Sequence, residues 1–187
     1  MLPRLLIVTG APGTGKTILA TRLSHELGLP LLTKDTIKEA MMDALPVADR
    51  EASMQLGAAA FRVLFTLSQS LLDTGIGIVL EGPFTHPQAD APLRDLGRNA
   101  RAALIHCVAP AELVLKRYRE RDESGQRHPG HFDSVVLDGL VARLRAGAYD
   151  PPLLDGPKLI VDTSDGYDPT LDEIVAALKP DWTVYLK

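Results

Sequence analysis

The sequence has few of the features that mark disulfide scaffolds, membrane proteins or nucleic-acid-binding proteins. Its single cysteine, Cys107, cannot form an internal disulfide. No apolar run approaches the ~18 residues that a membrane span needs, and the run after Arg4 is too short for a signal-peptide core. The chain has 20 Lys and Arg residues and 24 Asp and Glu residues, so it has no overall positive charge that would attract a nucleic-acid phosphate backbone. We therefore expect a cytoplasmic protein, a monomer or homodimer, for which membrane association and nucleic-acid binding are disfavoured.

The composition is close to that of ordinary globular proteins. Hydrophobic residues make up 45% of the chain and charged residues 24%, which excludes disordered and collagen-like classes. At roughly 150 residues per domain, the 187 residues favour one domain spanning 1–187. The apolar setting of Cys107 predicts a buried side chain that acts as a small apolar residue.

Short apolar runs alternate with helix-like segments along the chain. This alternation predicts an α/β fold with a parallel sheet of about five strands and helices on both faces. Ligands of such sheets bind at the carboxyl ends of the strands. The predicted strands are Leu5–Val8, Leu31–Leu32, Ile76–Leu80, Ala102–Val108 and Lys158–Val161.

Several helix boundaries can be predicted from capping patterns. Thr36 and Glu39 fit a capping box at the start of one helix, and Asp168 is a candidate N-cap for the last helix. Between Glu51 and Asp73, large apolar residues at helical spacing predict a long helix with a broad buried face. The residues of that face include Met54, Ala58, Phe61, Leu64, Phe65, Leu67, Leu71 and Leu72.

One motif matches a known pattern completely. The pattern G-x-x-x-x-G-K-[ST] lies between a predicted strand and a predicted helix, which is the context that confirms it. Its residues are Gly10, Ala11, Pro12, Gly13, Thr14, Gly15, Lys16 and Thr17. Glycines allow successive backbone N–H groups to surround phosphate oxygens, and the N-terminus of the next helix adds further donors. The ligand should therefore be a nucleoside triphosphate with Mg²⁺, with Lys16 at the β- and γ-phosphates and Thr17 on the metal.

Two acidic residues lie at the ends of predicted strands. Asp35 follows the second strand, where its carboxylate could act as a general base or position a hydroxyl beside the γ-phosphate. Glu81 ends the third strand, where it could orient the metal. Asp35 could instead cap the following helix, and Glu81 could pair with an arginine or replace Asp35 as the base. The sequence leaves these alternatives open.

Three arginines form a candidate phosphate-binding group. Arg117 and Arg121 are one helical turn apart, and Arg127 follows in a stretch rich in charge, glycine and histidine. Guanidinium donors can stabilise the charge on a transferring phosphoryl group. We therefore predict a mobile lid at about 117–134, with the stretch Asp122–Asp133 as a surface loop or lid. The alternative is a solvated helix whose acids pair with these arginines locally.

Histidines and an aromatic residue complete the candidate site. Phe84 and His86 follow Glu81 and could line a pocket for the acceptor, although His86 could equally be an exposed loop residue. His128 and His131 are too few for a convincing metal site.

The chain resembles the small P-loop kinases related to chloramphenicol phosphotransferase, zeta toxin, gluconate kinase and shikimate kinase. The resemblance rests on the complete motif, the acids Asp35 and Glu81, the arginine pair that leads to a lid, and the turn Val161–Ser164. It implies a sheet in the order 2-3-1-4-5, ATP with Mg²⁺, and phosphorylation of a small-molecule hydroxyl. It further implies that Thr163 and Ser164 hold the adenine and that Asp35 faces the acceptor.

One departure from related kinases bears on the acceptor. Nucleoside monophosphate kinases usually have an Asp-Gly-x-Pro-Arg string after the third strand, whereas Glu81–Phe84 reads Glu-Gly-Pro-Phe and lacks the arginine. A neutral, sugar-like or antibiotic-like hydroxyl acceptor therefore fits better than an anionic nucleotide. Two alternatives remain: a regulatory switch that binds a nucleotide without transfer, and a polynucleotide 5′-hydroxyl kinase, which the balanced charge around the lid disfavours. The choice between ATP and GTP is open.

Overall fold

A computed structural model describes residues 2–124, 128–131 and 133–178. Five strands form one sheet in the order β2-β3-β1-β4-β5, and every pair of neighbouring strands is parallel. The strands are β1 (Arg4–Gly10), β2 (Leu31–Thr33), β3 (Ile78–Glu81), β4 (Arg101–Val108) and β5 (Lys158–Asp162). The predicted fold class and strand order are confirmed.

Helices connect the strands. They are α1 (Lys16–Leu27), α2 (Lys34–Ala44), α3 (Arg50–Asp73), α4 (Asp90–Gly97), α5 (Ala111–Glu123), α6 (Asp133–Arg145) and α7 (Leu171–Leu178). A short 3-10 turn, Pro129–His131, precedes α6. The helices α4 and α6 had no prediction from the sequence. Among the described residues, no helix has both the length and the apolarity to cross a bilayer.

The sheet separates two apolar cores. Along β1, Leu6 and Val8 pack with α1 and α7 on one face, whereas Leu5 and Ile7 pack with α3 and α4 on the other. Alternate residues of a strand point to opposite faces, so an uninterrupted apolar strand fits a sheet that is covered on both sides. Cys107 is buried in β4, and this burial raises the pKa of its thiol to about 12. The predicted packing role of Cys107 is confirmed.

Two predicted helix caps are wrong by two or three residues. The strand β2 ends in extended backbone at Thr33, and the Thr33 side chain accepts the Thr36 N–H at 3.0 Å, so Thr33 caps α2. At α7, Thr170 and Glu173 form a reciprocal pair, in which the Glu173 carboxylate accepts the Thr170 N–H at 2.8 Å. Asp168 instead forms an antiparallel bridge with Asp162.

The buried face of α3 agrees with the predicted one only in part, since Leu64 and Leu72 are buried as predicted. Ser53, Ala60 and Ser68 are buried, whereas Met54 is 64% exposed and Leu67 is 44% exposed. The prediction followed large apolar residues, but α2 and α4 pack against α3, and small side chains allow close approach of these helices. The buried face of α3 is therefore rotated around the helix axis relative to the predicted face.

The stretch Asp122–Asp133 is only partly described, and Arg127 lies outside the described residues. Within it, Gly130 and His131 are buried rather than exposed at the surface. The Ser53 hydroxyl donates to the Gly130 carbonyl at 2.6 Å, and His131 Nε2 lies 2.8 Å from the Glu39 carboxylate. These contacts fix the 3-10 turn against α2 and α3, so a surface loop is the wrong description of this part.

Candidate nucleotide-binding site

The loop between β1 and α1 depends on glycines at three positions. Gly10, Gly13 and Gly15 all have positive φ angles. A Cβ atom on Gly10 would lie 2.5 Å from the Cys107 carbonyl oxygen, and one on Gly13 would lie 2.8 Å from the Val114 carbonyl oxygen. Only glycine allows the backbone to pass this close to β4 and α5. The helix α1 begins directly after the loop, and the unpaired N–H groups at its N-terminus favour binding of an anion.

Side chains of the loop hold its curvature. The Thr14 hydroxyl donates to the Ala11 carbonyl at 2.8 Å, and Lys16 Nζ donates to the same oxygen at 3.3 Å. The Lys16 ammonium is thus folded back over the loop rather than extended into solvent. A terminal phosphate within the loop would lie within reach of this cation.

A cleft of about 700 Å³ opens at the carboxyl edge of the sheet. Its walls come from the glycine loop, the start of α2, the α5 helix and the turn after β5. The cleft residues that the sequence predicted for the site are Gly13, Gly15, Lys16, Thr17, Asp35, Arg117, Arg121 and Thr163. This volume is within the range of cofactor and ligand pockets, so the structure brings these residues together around one space.

Glu81 is buried behind the loop. It ends β3, is 2% exposed, and accepts a hydrogen bond from the Thr17 side chain. Burial raises the pKa of the Glu81 carboxyl above its ordinary value, although the nearby Lys16 ammonium opposes the shift. A hydroxyl beside a carboxylate is a set of hard oxygen ligands, and Mg²⁺ usually takes one or two such groups together with phosphate oxygens. Thr17 and Glu81 therefore fit a magnesium ion bound with a nucleotide.

The raised pKa of Glu81 makes stability depend on pH. A carboxyl that holds its proton more tightly in the folded state stabilises the fold at low pH, and this contribution is lost as pH rises through the folded-state pKa. Glu81→Gln should therefore raise the Tm of the nucleotide-free protein at pH 8, by about 2–4 °C for each kcal/mol gained. The difference should shrink as the pH falls toward 4.5, the ordinary pKa of the group.

Thermal unfolding of both proteins between pH 5 and pH 8 measures this effect. Glu26→Gln is the matched control, because Glu26 is exposed on α1 and its replacement should leave the pH profile unchanged. A Glu81→Gln difference that is the same at every pH would contradict the electrostatic explanation.

Asp35 faces the cleft from the first turn of α2. Its side chain is 42% exposed, and Lys34 Nζ lies 3.0 Å from Asp35 Oδ1. The Lys34 side chain is only 11% exposed and also lies near Glu81. Lys34 was missed from the sequence because no motif or spacing marks a lysine at the start of a helix. The site therefore contains two lysines and two carboxylates at the ends of neighbouring strands.

Arg117 connects α5 to the turn after β5. Its guanidinium donates to the Thr163 carbonyl at 2.6 Å, to the Thr163 hydroxyl at 3.2 Å and to the Ser164 carbonyl at 3.3 Å. The Thr163 hydroxyl in turn donates to the Thr14 carbonyl at 2.8 Å. These bonds form a chain from α5 through the turn to the glycine loop. Thr163 is buried and supports the loop, and the Ser164 N–H donates to the Asp162 carboxylate at 2.7 Å.

Arg117→Met should loosen this connection. Charge-assisted hydrogen bonds contribute about 1.5–3 kcal/mol each, so we expect the free energy of unfolding to fall by at least about 1 kcal/mol after solvent screening of the partly exposed guanidinium. ATP affinity should fall as well, because the turn forms one wall of the cleft. Urea denaturation and calorimetric titration with ATP measure the two effects. Arg119→Met, at an exposed position of the same helix, should change neither.

The other predicted arginines differ in their placement. Arg121 lines the cleft, and its guanidinium lies 4.9 Å from the centre of the Tyr118 ring. Arg127 lies outside the described residues. The cleft also contains Arg22 and Tyr167, whose guanidinium and ring centre are 5.7 Å apart. The sequence did not mark either one, because they come from α1 and from the turn after β5.

Phe84 and His86 do not line this cleft. Phe84 is 1% exposed and packs against Phe61 and Phe65, with ring centres 5.9 Å away in both cases. His86 Nδ1 lies 2.7 Å from the Asp90 carboxylate at the start of α4. The His86 side chain is 46% exposed. The sequence-based placement of His86 beside Asp35 therefore has no support in the geometry, because its hydrogen bond holds the ring at α4.

The fold and the cleft together define the class of this protein. A glycine loop between the first strand and helix, the strand order 2-3-1-4-5 and the two acids at strand ends make this protein a small P-loop kinase-type protein. The sequence profile of the AAA domain family matches residues 5–146, and the chain belongs to that family.

Known relatives agree with this class. A crystal structure from Chloroflexus aurantiacus, provisionally designated a kinase, is 34% identical with a TM-score of 0.85, and the match covers 97% of this chain and 99% of that one. An adenylate kinase from Syntrophotalea carbinolica is 35% identical over 144 residues, which are 71% of this chain and 67% of the relative. A sugar kinase from Janibacter is 19% identical with a TM-score of 0.57 over 98% of this chain and 96% of that one, which shows the fold alone.

Other relatives are longer proteins. Uncharacterized proteins of Mycobacterium bovis and Mycobacterium tuberculosis are 24% identical over 123 residues, and the match covers 61% of this chain. The chain spans about a quarter of their length, since the match covers 25% of each. The matched segment is therefore only a part of those proteins.

Proposed function

We propose that this protein is an ATP-dependent phosphotransferase that moves the γ-phosphoryl group to a hydroxyl of a small molecule. The observation that carries the proposal is the position of Lys16 and Asp35 in the walls of one cleft. Lys16 would bind the terminal phosphates, and the Asp35 carboxylate lies in the wall of the same cleft. A nucleotide-binding switch would need the first residue but not the second.

In the proposed reaction, the γ-phosphoryl group passes directly from ATP to the acceptor hydroxyl. The acceptor oxygen forms a bond to the γ-phosphorus, and the bond between that phosphorus and the β–γ bridging oxygen breaks, which releases ADP. The hydroxyl proton goes to the Asp35 carboxylate. Lys16 and Arg121, which both line the cleft, stabilise the charge on the transferring group. Thr17 and Glu81 would hold Mg²⁺, which supplies charge neutralisation at the phosphates.

The environments of the two acids support Asp35 as the base. Glu81 is almost fully buried and bonded to Thr17, so it is poorly accessible to an acceptor. The Asp35 side chain is 42% exposed and faces the cleft. A base must come within hydrogen-bond reach of the hydroxyl it deprotonates, and Asp35 meets that condition better.

A panel of acceptors tests the proposal. ADP release is measured with Mg·ATP and each of several sugars, aminoglycosides, amino-alcohols and nucleosides, with GTP as the alternative donor. We expect at least one hydroxyl compound to raise ADP release above the rate without acceptor. Calorimetry that detects no magnesium-dependent binding of any purine triphosphate would contradict both the kinase and a nucleotide-binding switch.

Sequence similarity to an adenylate kinase favours AMP as a second candidate acceptor. The segment after β3 argues against AMP, because Phe84 is buried there and no arginine follows Gly82 and Pro83 to bind a phosphate. AMP therefore belongs in the panel as a separate arm. Phosphorylation of AMP in preference to neutral alcohols would assign the protein to the nucleoside monophosphate kinases.

A further inference from the structure

A second cavity of about 290 Å³ lies beside the nucleotide cleft, between α3 and the segment that follows β3. Its apolar walls are formed by Ala58, Phe61, Phe65, Pro83, Phe84 and Ala89, and we call it the ring pocket. Thr85 and Gln88 contribute polar groups at its edge. This cavity is separate from the nucleotide cleft, since none of the residues that line the cavity also lines the cleft.

The ring pocket lies next to the proposed base. Lys34 Nζ is 3.0 Å from Asp35 Oδ1 and 5.9 Å from the centre of the Phe61 ring. One ammonium group therefore contacts both the carboxylate of the cleft and an aromatic wall of the pocket. At the other wall, Gly82 follows Glu81 and packs so tightly that a Cβ atom on it would lie 3.0 Å from the Phe84 ring. The ring pocket and the reacting groups are therefore both next to the carboxyl ends of β2 and β3.

The shape and chemistry of the ring pocket favour a flat apolar group. The half-buried rings of Phe61 and Phe65 lie 6.2 Å apart at an angle of 19°, and the buried Phe84 ring is 5.9 Å from each of them. A ring placed there would make edge-to-face and offset contacts, which are the preferred aromatic geometries. A cavity of about 150 Å³ is enough to hold benzene, so 290 Å³ has room for one substituted ring.

A polyol would fit this surface poorly. Hydroxyl groups buried against three phenylalanines would lose their hydrogen bonds to water without gaining protein partners. The half-buried rings of Phe61 and Phe65 would also remain without an apolar cover. An acceptor that reaches this pocket would therefore be selected by the part of the molecule that does not react.

We propose that the acceptor is an alcohol that carries an aromatic or similarly flat apolar ring, with the ring in the ring pocket and the hydroxyl at Asp35. This inference rests on the proposed function and narrows it to a substrate class. The hydroxyl and the ring must be close in the acceptor, because Lys34 Nζ lies 3.0 Å from Asp35 Oδ1 and 5.9 Å from the centre of the Phe61 ring.

The test compares 2-phenylethanol with glycerol as acceptors. The kcat/KM for 2-phenylethanol should exceed that for glycerol by about 10- to 100-fold, the factor expected for burial of one ring. Ala58→Trp should then reduce this preference at least tenfold, because position 58 is exposed at the rim and the indole would fill the pocket. Val63→Trp on the opposite side of α3 is the matched control and should retain the preference.

Direct binding separates this inference from the proposed function. Saturation-transfer NMR measures contact between 2-phenylethanol and the ADP-loaded protein, and Ala58→Trp should abolish the signal. Binding of 2-phenylethanol without transfer to any alcohol would show a ring-binding site but would overturn the kinase proposal and, with it, the assignment of that site to an acceptor. Transfer to glycerol with no preference for 2-phenylethanol would support the kinase and overturn the ring pocket.

Two other results would also overturn the ring pocket. If Ala58→Trp shifts the oligomeric state in sedimentation velocity and leaves alcohol preference unchanged, the surface is an interface between copies of the chain. If 2-phenylethanol neither binds nor reacts, the cavity has no role in acceptor recognition.

Discussion

Lys16→Ala is expected to reduce phosphoryl transfer by at least about 10², the loss seen when one preorganised charge-stabilising donor is removed. The physical reason is the position of the ammonium, which folds back over the glycine loop and reaches the Ala11 carbonyl at 3.3 Å. In that position it needs no large rearrangement to meet the β- and γ-phosphates. Alanine leaves the developing negative charge with one fewer cation in a cleft that already contains the Asp35 carboxylate.

Acceptor-dependent ADP release measures the Lys16→Ala effect, with thermal unfolding as the check on folding. Lys116→Ala is the matched control, since the Lys116 side chain is 70% exposed and its nearest carboxylate oxygen, on Glu120, is 3.9 Å away. Such an exposed pair contributes little, so this control should transfer at the normal rate. Near-normal transfer by Lys16→Ala would contradict the assigned role of the loop lysine.

Asp35→Asn is expected to lower kcat by about 10²- to 10⁴-fold, which is the usual contribution of a general base. An amide has nearly the shape of a carboxylate but cannot accept the proton of the acceptor hydroxyl. The affinity for Mg·ATP should remain, because the glycine loop and α1 are unchanged. This combination of lost turnover and retained binding distinguishes a base from a residue that holds the nucleotide.

Single-turnover transfer and calorimetric titration with Mg·ATP provide the two readouts for Asp35→Asn. The substitution removes the carboxylate partner of Lys34, so thermal unfolding must show that the variant is folded. Asp95→Asn is the control, because Asp95 is 62% exposed and pairs with Arg98 on α4. If Asp35→Asn transfers at the normal rate, Glu81 becomes the candidate base. If no acceptor stimulates either protein, the nucleotide-binding switch is the better description.

The glycine loop and the positions of the strands could be predicted from the sequence because both depend on local signals, whereas the order of the strands came only from the resemblance to the small P-loop kinases. Gly10, Gly13 and Gly15 occupy positions where the backbone has positive φ, and the apolar runs mark strands with two covered faces. The acids Asp35 and Glu81 follow from the same logic, since parallel strands present their carboxyl ends at one edge. These parts of the fold require no knowledge of distant partners.

The remaining features depend on contacts between residues far apart in the chain. Arg117 and Thr163 are 46 positions apart, and Glu39 and His131 are 92 apart. The sequence contains both members of each pair but nothing that joins them. The sequence marked Arg117 only as one of three candidate phosphate-binding arginines, and its observed bonds to the turn after β5 could not be predicted. The rotated face of α3 has a similar origin, because the neighbouring helices decide which small residues are buried.

The hydrogen bond from Thr163 to the Thr14 carbonyl has a consequence for the entropy of ligand association. It joins the glycine loop to the distant turn through buried atoms, so the two ends of the cleft form one connected cradle before any nucleotide arrives. A ligand that enters a preorganised cradle loses little free energy to ordering the protein. Its residence time should then be governed by the contacts it makes, and removing the Thr163 hydroxyl should speed dissociation more than it slows capture.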